Sequence, residues 1–472
     1  MAKASALAAL VTAACQAERE VRPQLFVEVD TDMPTLSQVI EDDRLSRDAA
    51  LDTLRIDVID TSGHVIDFLD VVGPTPSDWP VSFGVPRAEG QAAVRLRLRL
   101  FRGQFADPGE ANGLPTLEPL SNTTIDRVVD LTFPESGVRS ARIELRGDCL
   151  GVRASFGRDT KSCVDADHQF EEPAFPTDPA TGETRVGTWS KAFEQPCTGP
   201  SPGPDTICIP GGFAVLGERD FAGLGGGFLD PYPLVPVLIS PFWMDRTEIT
   251  VGRYRDFVNR NGEPIHPPET YLPGDRFQST CSFLGLDSAA NDQSPLNCMR
   301  RSVAEAICAD AGGELPSEAQ WEFAARGRGR GYLYPWGNEP ADCCTASFER
   351  FSYAGSLVRC EAKPPLERVG SHPESSECNS RGDVSRDGVL DMAGSVAEMS
   401  RDSGRTFADD CWKSNGTLRD PVCEADGGLF TLRGGNFSAG QGLLLAALRN
   451  TSPEFAATST TGARCVYRET KP

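Results

Sequence analysis

Alternating apolar and polar residues dominate the first third of the chain. In "AAVRLRLRLF", the apolar residues Val94, Leu96, Leu98 and Leu100 alternate with arginines. A period of two predicts a half-buried strand whose arginine face lies in water. "LRIDVID" and "HVIDFLDV", separated by "TSG", predict a hairpin. "QLFVEVD", "RVVDLTF" and "SARIELR" predict three further strands.

Short strands with Pro, Gly and Asp turns predict an all-β antiparallel sandwich over residues 21–150, which resembles immunoglobulin-like modules. Residues 151–208 contain "HQFEEPAFPTDPATGETR" and "CTGPSPGPDTIC". A Pro-, Thr- and Gly-rich composition predicts a Cys/Pro-rich linker that packs little apolar surface. Spacing leaves the disulfide pairing open. The candidate local disulfides are Cys149 with Cys163 and Cys197 with Cys208.

The pattern changes to a helical period in residues 209–472. Val251, Tyr254 and Phe257 recur at three-residue spacing, after the candidate N-cap Thr250. "SVAEAICADAGG" predicts a second helix that ends at glycine. "LPSEAQWEFAAR" predicts a third, because its Ser and Gln are spaced as a capping box. Loops rich in aromatic residues and glycine follow.

Composition narrows the class of protein. The 472 residues include 68 acidic and 46 basic ones, and the net charge of -22 argues against binding to nucleic acid or anionic lipid. Fifteen cysteines without paired CxxC spacing favour disulfides in an oxidising compartment.

The first residues predict export. "ASALAALVTAAC" within residues 1–20 is too short for a membrane span and is typical of a signal peptide. Cys15 follows two alanines, as in a bacterial lipoprotein cleavage site, although Thr12 departs from the usual leucine. Setting Cys15 aside for lipid leaves fourteen cysteines, an even number that favours seven disulfides. A plain cleaved signal, with secretion, is the alternative. Contact with a membrane is expected only through the lipid.

Six motifs occur in an order that resembles the formylglycine-generating enzyme family, also called sulfatase-modifying factors. They are "PFWMDRTEITVGRYRDF", "LPSEAQWEFAARG", "YPWGNEP", "DGVLDMAGSVAE", "LRGGNF" and "GARCVY". The resemblance covers residues 209–467 and implies an α+β fold of the C-type-lectin-like kind. It also implies a disulfide between Cys308 and Cys465.

The same resemblance identifies what is missing. Active members carry two cysteines, five residues apart after the double glycine, that bind copper(I), a soft ion that thiolates hold well. Here Ala439 and Leu444 stand at those positions, so no copper is expected. Asn436 replaces the family's serine, and Ala397 replaces the tryptophan of its "GNVWEW" motif. The sequence therefore predicts a degenerate pocket with an apolar floor.

Two other sets of residues are candidate substitutes for the missing cysteines. Cys343 and Cys344 are adjacent but lie elsewhere in the motif order, and ordinary disulfides to partners such as Cys360 and Cys378 are favoured over a reactive pair. Other family branches use iron held by histidines, and the four histidines here lack metal-ligand spacing.

A calcium site is the one chemical feature that the resemblance retains. It assigns the carboxylates of Asp391 and Glu398 and the backbone carbonyls of Gly394 and Val396 as ligands. Calcium prefers such oxygen ligands on a turn. The alternative is that the two acids only cap a turn.

The favoured hypothesis is an exported, lipid-anchored, non-catalytic protein whose module binds a protein or a glycan on a disulfide- and calcium-stiffened scaffold. One alternative is an oxidase that converts cysteine to formylglycine in sulfatases. Another is a purely structural surface protein with a filled pocket.

Overall fold

β-Strands build the N-terminal part of the chain. The computed structural model describes residues 22–60, 64–111, 114–156, 159–176, 185–221, 229–274, 280–350, 360, 366–374, 381–425 and 427–469. The N-terminal elements are β1 (Gln24–Thr31), α1 (Leu36–Glu41), β2 (Thr53–Ile59), β3 (Val65–Val72), β4 (Val81–Pro86), β5 (Ala93–Phe101), β6 (Asp107–Ala111), β7 (Leu114–Glu118), β8 (Thr124–Thr132) and β9 (Val138–Leu145).

These strands form two main sheets, in the orders β3-β2-β5-β8 and β4-β1-β9, with β6 and β7 paired separately. Leu25 and Val27 of β1 share one buried core with Leu96 and Leu98 of β5, as the period of two predicts. The sandwich is not wholly antiparallel, because β1 pairs with β9 in parallel. The N-terminal region is therefore β-rich with mixed pairing.

The arginine face of β5 does not lie free in water, and that part of the prediction is wrong. Arg99 is buried, and the other two arginines are partly buried. Each arginine finds an aspartate on a neighbouring strand, which offsets the cost of removing its charge from water. The pairs are Arg95 with Asp130 at 2.6 Å, Arg97 with Asp126 at 2.6 Å, and Arg99 with Asp57 at 2.7 Å.

The segment predicted as a linker is packed where the structure describes it. It contains little regular structure, and disulfides close its two ends, Cys149–Cys163 and Cys197–Cys208. Trp189 nevertheless lies buried in the N-terminal core, edge-on to Phe213 at 5.4 Å between ring centroids. Composition alone does not reveal that residues of this segment, among them Val186, Trp189 and Ala192, pack into a core formed with strands that are distant in sequence.

The C-terminal module is an α+β structure. The elements of the module are β10 (Thr206–Ile209), β11 (Gly212–Leu216), β12 (Val235–Ile239), β13 (Phe242–Asp245), α2 (Val251–Asn261), α3 (Arg301–Asp310), α4 (Glu318–Ala325), β14 (Ala397–Ser403), β15 (Leu418–Arg419), β16 (Leu429–Arg433), β17 (Asn450–Pro453), β18 (Thr461–Gly462) and β19 (Val466–Arg468). In the described residues, these strands form three small sheets, in the orders β10-β13-β19, β11-β12-β15 and β17-β16-β14-β18. Among the described residues, no helix is long and apolar enough to span a membrane.

Side-chain caps fix the start of two helices, as the sequence predicts. The hydroxyl of Thr250 accepts a hydrogen bond from the backbone N–H of Arg253 at the start of α2. Ser317 and Gln320 form the capping box of α4. Cys308 of α3 is joined to Cys465, the pair that the family resemblance implies, and this disulfide fastens α3 next to β19.

The N-terminal region and the module share contacts that fix their arrangement. Asp48 accepts a hydrogen bond from the backbone N–H of Val215 at 3.0 Å, and its own N–H donates to the carbonyl of Gly329. The guanidinium of Arg330 pairs with Asp43 at 2.7 Å. Because Phe213 and Val215 also belong to the N-terminal core, the two regions pack as one body.

Two arginines and two glutamates form a buried ion network at the centre of the module. Arg433, at the end of β16, contacts Glu318 at 2.9 Å and Glu322 at 2.6 Å, both on α4. Arg449 contacts Glu318 at 2.5 Å. Burial alone would raise the pKa of Glu318, but Arg449 and Arg433 hold it below its ordinary value. The network ties α4 to the sheet that contains β16.

We expect Arg433→Met to lower the free energy of unfolding by about 3–5 kcal/mol, because it removes one buried counter-charge from Glu318 and Glu322, which then keep one arginine each, Arg449 and Arg326. Urea unfolding followed by circular dichroism measures this. The matched control is Arg468→Ala, which removes a pair whose arginine side chain is 75% exposed and should cost about 0–1 kcal/mol. Equal costs for the two variants would contradict the role assigned to the network.

A buried carboxyl beside this network should make stability depend on pH. Asp402 accepts hydrogen bonds from the backbone N–H groups of Glu318 and Cys423. Burial and the Glu318 carboxylate raise the pKa of Asp402 to about 7. The folded state therefore holds this proton more tightly than the unfolded chain, whose aspartate titrates near pH 4. Its stabilising effect is complete below about pH 4 and is lost as pH rises to about 7.

We expect Asp402→Asn to flatten the fall in unfolding free energy between about pH 4 and pH 7, because asparagine does not ionise. Denaturation curves across that range provide the measurement. Asp410→Asn, at a side chain that is 96% exposed, should leave the slope of the wild type intact. Parallel curves for the wild type and Asp402→Asn would exclude Asp402 as the titrating group.

Candidate functional site

The segment "RGGNFSAGQGLLL" begins where β16 ends, and its two glycines are required by close approach of the backbone. Gly434 and Gly435 have φ values of 86° and 72°. A Cβ atom on Gly434 would lie 2.6 Å from the carbonyl oxygen of Met392, and one on Gly435 would lie 2.6 Å from that of Leu443. The chain therefore folds tightly back on itself before the short 3-10 turn Gln441–Leu444.

Ala439 and Leu444, at the positions of the family's copper-binding cysteines, are both buried, at 7% and 0% exposed. They share one hydrophobic cluster with Tyr334, Trp336 and Phe348. The rings of Tyr334 and Trp336 stack at 5.0 Å between centroids. The expected pocket with an apolar floor is therefore filled at these two positions, because aliphatic side chains pack where thiolates would stand open to a metal.

The other two departures from the family pattern lie apart from this cluster. The side-chain oxygen of Asn436 accepts hydrogen bonds from the N–H and hydroxyl of Ser438, at 3.0 and 2.7 Å, and so closes a local turn. Ala397 is buried in a different core, which contains residues of α2 and α3. The structure thus brings Ala439 and Leu444 together, whereas Ala397 serves the packing of the helices.

No free thiol is available among the described cysteines, since each of them is in a disulfide. Cys343 is joined to Cys360, and this disulfide packs against the cluster that contains Ala439 and Leu444. Cys344 is also disulfide-bonded, and its candidate partner Cys378 lies outside the described residues. An oxidised pair does not hold copper(I), which is bound by thiolates.

Glu398, one of the two carboxylates implied as calcium ligands, pairs with a buried arginine. One oxygen of Glu398 accepts hydrogen bonds from Trp321 at 2.8 Å and from Arg464 at 2.7 Å, and the other accepts from Arg464 at 2.6 Å. Both oxygens are therefore engaged, and a buried guanidinium already neutralises the carboxylate. Asp391 instead accepts a hydrogen bond from the backbone N–H of Gly370.

Gly394 and Val396, the two backbone ligands implied by the resemblance, lie on the turn before β14. The N–H of Gly394 donates to the carbonyl of Gly434 at 2.9 Å, so this turn packs directly on the double glycine. The side chain of Val396 is 1% exposed and meets Gly462 of β18. The turn is held by packing and by backbone hydrogen bonds.

Sequence reasoning missed two further acids beside Asp391. Glu248 and Asp383 are 2% and 1% exposed. Burial, and then the Asp391 carboxylate, raise the pKa of both groups well above the ordinary values. Protons can thus relieve the repulsion among these acids. The available signal was their position in "RTEIT" and directly before "VSRDG". No three His, Cys, Asp or Glu side chains in the described ranges are grouped so that they could hold a metal ion.

We expect the melting temperature to be the same in excess calcium and in excess chelator, because the Arg464 guanidinium already supplies the positive charge beside Glu398. Glu398→Gln should destabilise the protein by about 3–5 kcal/mol in both conditions, since Arg464 then lies buried without its counter-charge. Scanning calorimetry under the two conditions tests this. If calcium raises the melting temperature and Glu398→Gln abolishes that rise, the result would support the calcium site that the family resemblance implies.

The chain belongs to the sulfatase-modifying factor enzyme 1-like domain family. The family profile matches residues 192–469. This range includes the buried ion network and the filled cluster, which is the hydrophobic cluster that contains Ala439 and Leu444. The match places the start of the family domain before residue 209, so it includes the last part of the segment predicted as a linker.

Curated relatives include both uncharacterised and inactive proteins. The chain is 27% identical over 282 residues to "Uncharacterized protein YfmG" of Bacillus subtilis, covering 55% of this chain and 53% of that protein. It is 58% identical over 164 residues to "Inactive C-alpha-formylglycine-generating enzyme 2" of Bos taurus, covering 28% of this chain and 52% of that protein. The chain spans about half the length of the curated relatives that it matches.

An enzyme and a solved structure are also among the similar proteins. "Formylglycine-generating enzyme" of Bos taurus is 28% identical over 171 residues, covering 30% of this chain and 44% of that enzyme. The structure of PvdO from Pseudomonas aeruginosa is 20% identical with a TM-score of 0.43, covering 58% of this chain and 98% of that chain.

Proposed function

We propose that this protein is an exported, non-catalytic member of the family whose module binds a protein or a glycan. The observation that carries the proposal is the burial of Ala439 and Leu444 within one aromatic and aliphatic cluster. An alanine and a leucine offer no ligand to copper(I), a soft ion that prefers sulfur. The module is then a scaffold that presents loops held in place by disulfides.

The printed names of the relatives support this proposal in part. The similarity to a protein called an inactive formylglycine-generating enzyme 2 favours a family member without catalysis. The similarity to a formylglycine-generating enzyme supports the alternative, an oxidase that acts on cysteine in sulfatases. That alternative lacks a thiolate pair among the described cysteines. A third candidate, a purely structural surface protein, is compatible with the filled cluster.

Export to an oxidising compartment is part of the proposal. Disulfides such as Cys281–Cys298 and Cys411–Cys423 join segments of the module, and such bonds form and persist outside the cytosol. Lipidation of Cys15 stays a prediction, because residues 1–21 lie outside the described part of the chain.

We expect the purified protein neither to bind copper(I) tightly nor to convert a Cys-x-Pro-x-Arg peptide to formylglycine above a control without enzyme. Mass spectrometry of the peptide and a competition assay with a copper(I) chelator measure the two properties. An active formylglycine-generating enzyme, run in parallel on the same peptide, serves as the positive control. Formylglycine above background, or copper(I) binding that competes with the chelator, would favour the oxidase alternative.

A further inference from the structure

A cavity of about 510 Å³ lies at the seam between the N-terminal region and the module. Residues 120–122 and Arg153 form the N-terminal wall, whereas residues 232–236, 407–408, 412–416 and 418 form the module wall. Its volume lies within the range of cavities that hold small molecules, and ligand sites often lie between domains. Neither the family's cysteine positions nor the acids near Asp391 line it.

Direct contacts hold the two walls in place. The side-chain amide of Asn122 donates a hydrogen bond to the carbonyl of Leu234 across the seam. The backbone N–H of Arg153 donates to the side-chain oxygen of Asn415 at 3.2 Å. Because both contacts join the N-terminal region to the module, the cavity is formed before any ligand binds, which lowers the entropic cost of binding.

The charge of the cavity is opposite to that of the whole protein. The chain carries 68 acidic and 46 basic residues, yet no Asp or Glu is found among the described residues that line the cavity. Arg153 and Lys413 both contribute to the lining. Lys413 pairs with Asp410 at 2.8 Å, whereas the exposed side chain of Arg153 makes no hydrogen bond or ion pair within the described chain. The site therefore favours an anion.

The remaining lining combines aromatic rings with neutral polar groups. Phe407 and Trp412 pack edge to face at 4.9 Å, and the Arg449 guanidinium lies 3.7 Å from the centroid of Phe407. The half-buried ring of Tyr232 stands beside them. The neutral polar side chains of the lining are Ser121, Asn122, Ser414 and Asn415. Rings offer flat apolar surfaces, and amides and hydroxyls both donate and accept hydrogen bonds.

We propose that this cavity binds a carboxylate-bearing sugar ring, either free or as a residue of an acidic polysaccharide. The Arg153 guanidinium pairs with the carboxylate, in the forked geometry that arginine offers to such groups. The amides and hydroxyls hydrogen-bond to the sugar hydroxyls, and the apolar face of the sugar ring packs against the half-buried ring of Tyr232. The inference rests on the proposed non-catalytic binding function and names its ligand and its site.

The test compares galacturonate with galactose, which differ only in whether carbon 6 is a carboxylate or an alcohol. Titration calorimetry on the full chain should give a dissociation constant for galacturonate at least about tenfold below that for galactose. Arg153→Ala should remove the preference, and Arg153→Glu should reverse it. The matched control Arg368→Ala, at an exposed arginine outside the lining, should retain it. Melting curves confirm that each variant is folded.

Two further arms separate the sources of the ligand. Tighter binding of trigalacturonate than of the monomer would assign the site to a polysaccharide, whereas equal binding would assign it to the free sugar acid. Three results would overturn the proposal: no saturable binding, equal binding of galactose and galacturonate, or a glutamate-rich peptide that binds more tightly than either sugar acid. Such a failure would leave the copper and formylglycine measurements unchanged, so it is distinguishable from a failure of the non-catalytic function.

Discussion

The fold of the module depends on the buried ion pairs that join α4 to the end of β16 and to Arg449. Glu318 and Glu322 lie on one helix, and Arg433 and Arg449 come from the chain around the double-glycine segment. All four side chains are at most 1% exposed, so each charge is stable in the interior only while its partner is present. Glu398 and Arg464 form a second buried ion pair of this kind, and Glu398 also accepts a hydrogen bond from Trp321.

These pairs explain how the family motifs can be present around Ala439 and Leu444, which replace the family's two cysteines. "LPSEAQWEF" supplies the glutamates and Trp321, "LRGGNF" supplies Arg433, and "GARCVY" supplies Arg464. Changing one member leaves a buried charge and destabilises the whole module. Cysteines that only bind a metal carry no such structural penalty, and aliphatic residues can fill their volume. The motifs are therefore evidence for the scaffold, whereas Ala439 and Leu444 are the evidence about chemistry.

Local features of the sequence predicted the elements whose causes are local. Thr250 and Ser317 cap the helices that they were expected to cap, and Leu96 and Leu98 face the core of the sandwich. Predictions failed where a distant partner decides the outcome. The partners of the β5 arginines come from other strands, and Trp189 packs into a core whose strands are distant in sequence.

The same limit applies to the candidate site. The resemblance gave the residue numbers of the positions implied for copper and calcium. It did not reveal that Glu398 is paired with Arg464, which lies 66 residues further along the chain. The seam cavity was also beyond sequence reasoning. Its walls include Arg153 and Asn415, which are 262 residues apart, and neither stands in a motif.

The central claim, that packed side chains fill the positions of the family's two copper-binding cysteines, is tested most directly by the reactivity of an installed thiol. In Leu444→Cys, the new thiol should react with a maleimide reagent at least about 100-fold more slowly than the one in Leu443→Cys, because reaction requires local opening of the fold. Leu444 is 0% exposed and Leu443 is 36% exposed, so the two neighbours form a matched pair. Equally fast labelling of the two folded variants would show an open cleft and contradict the account.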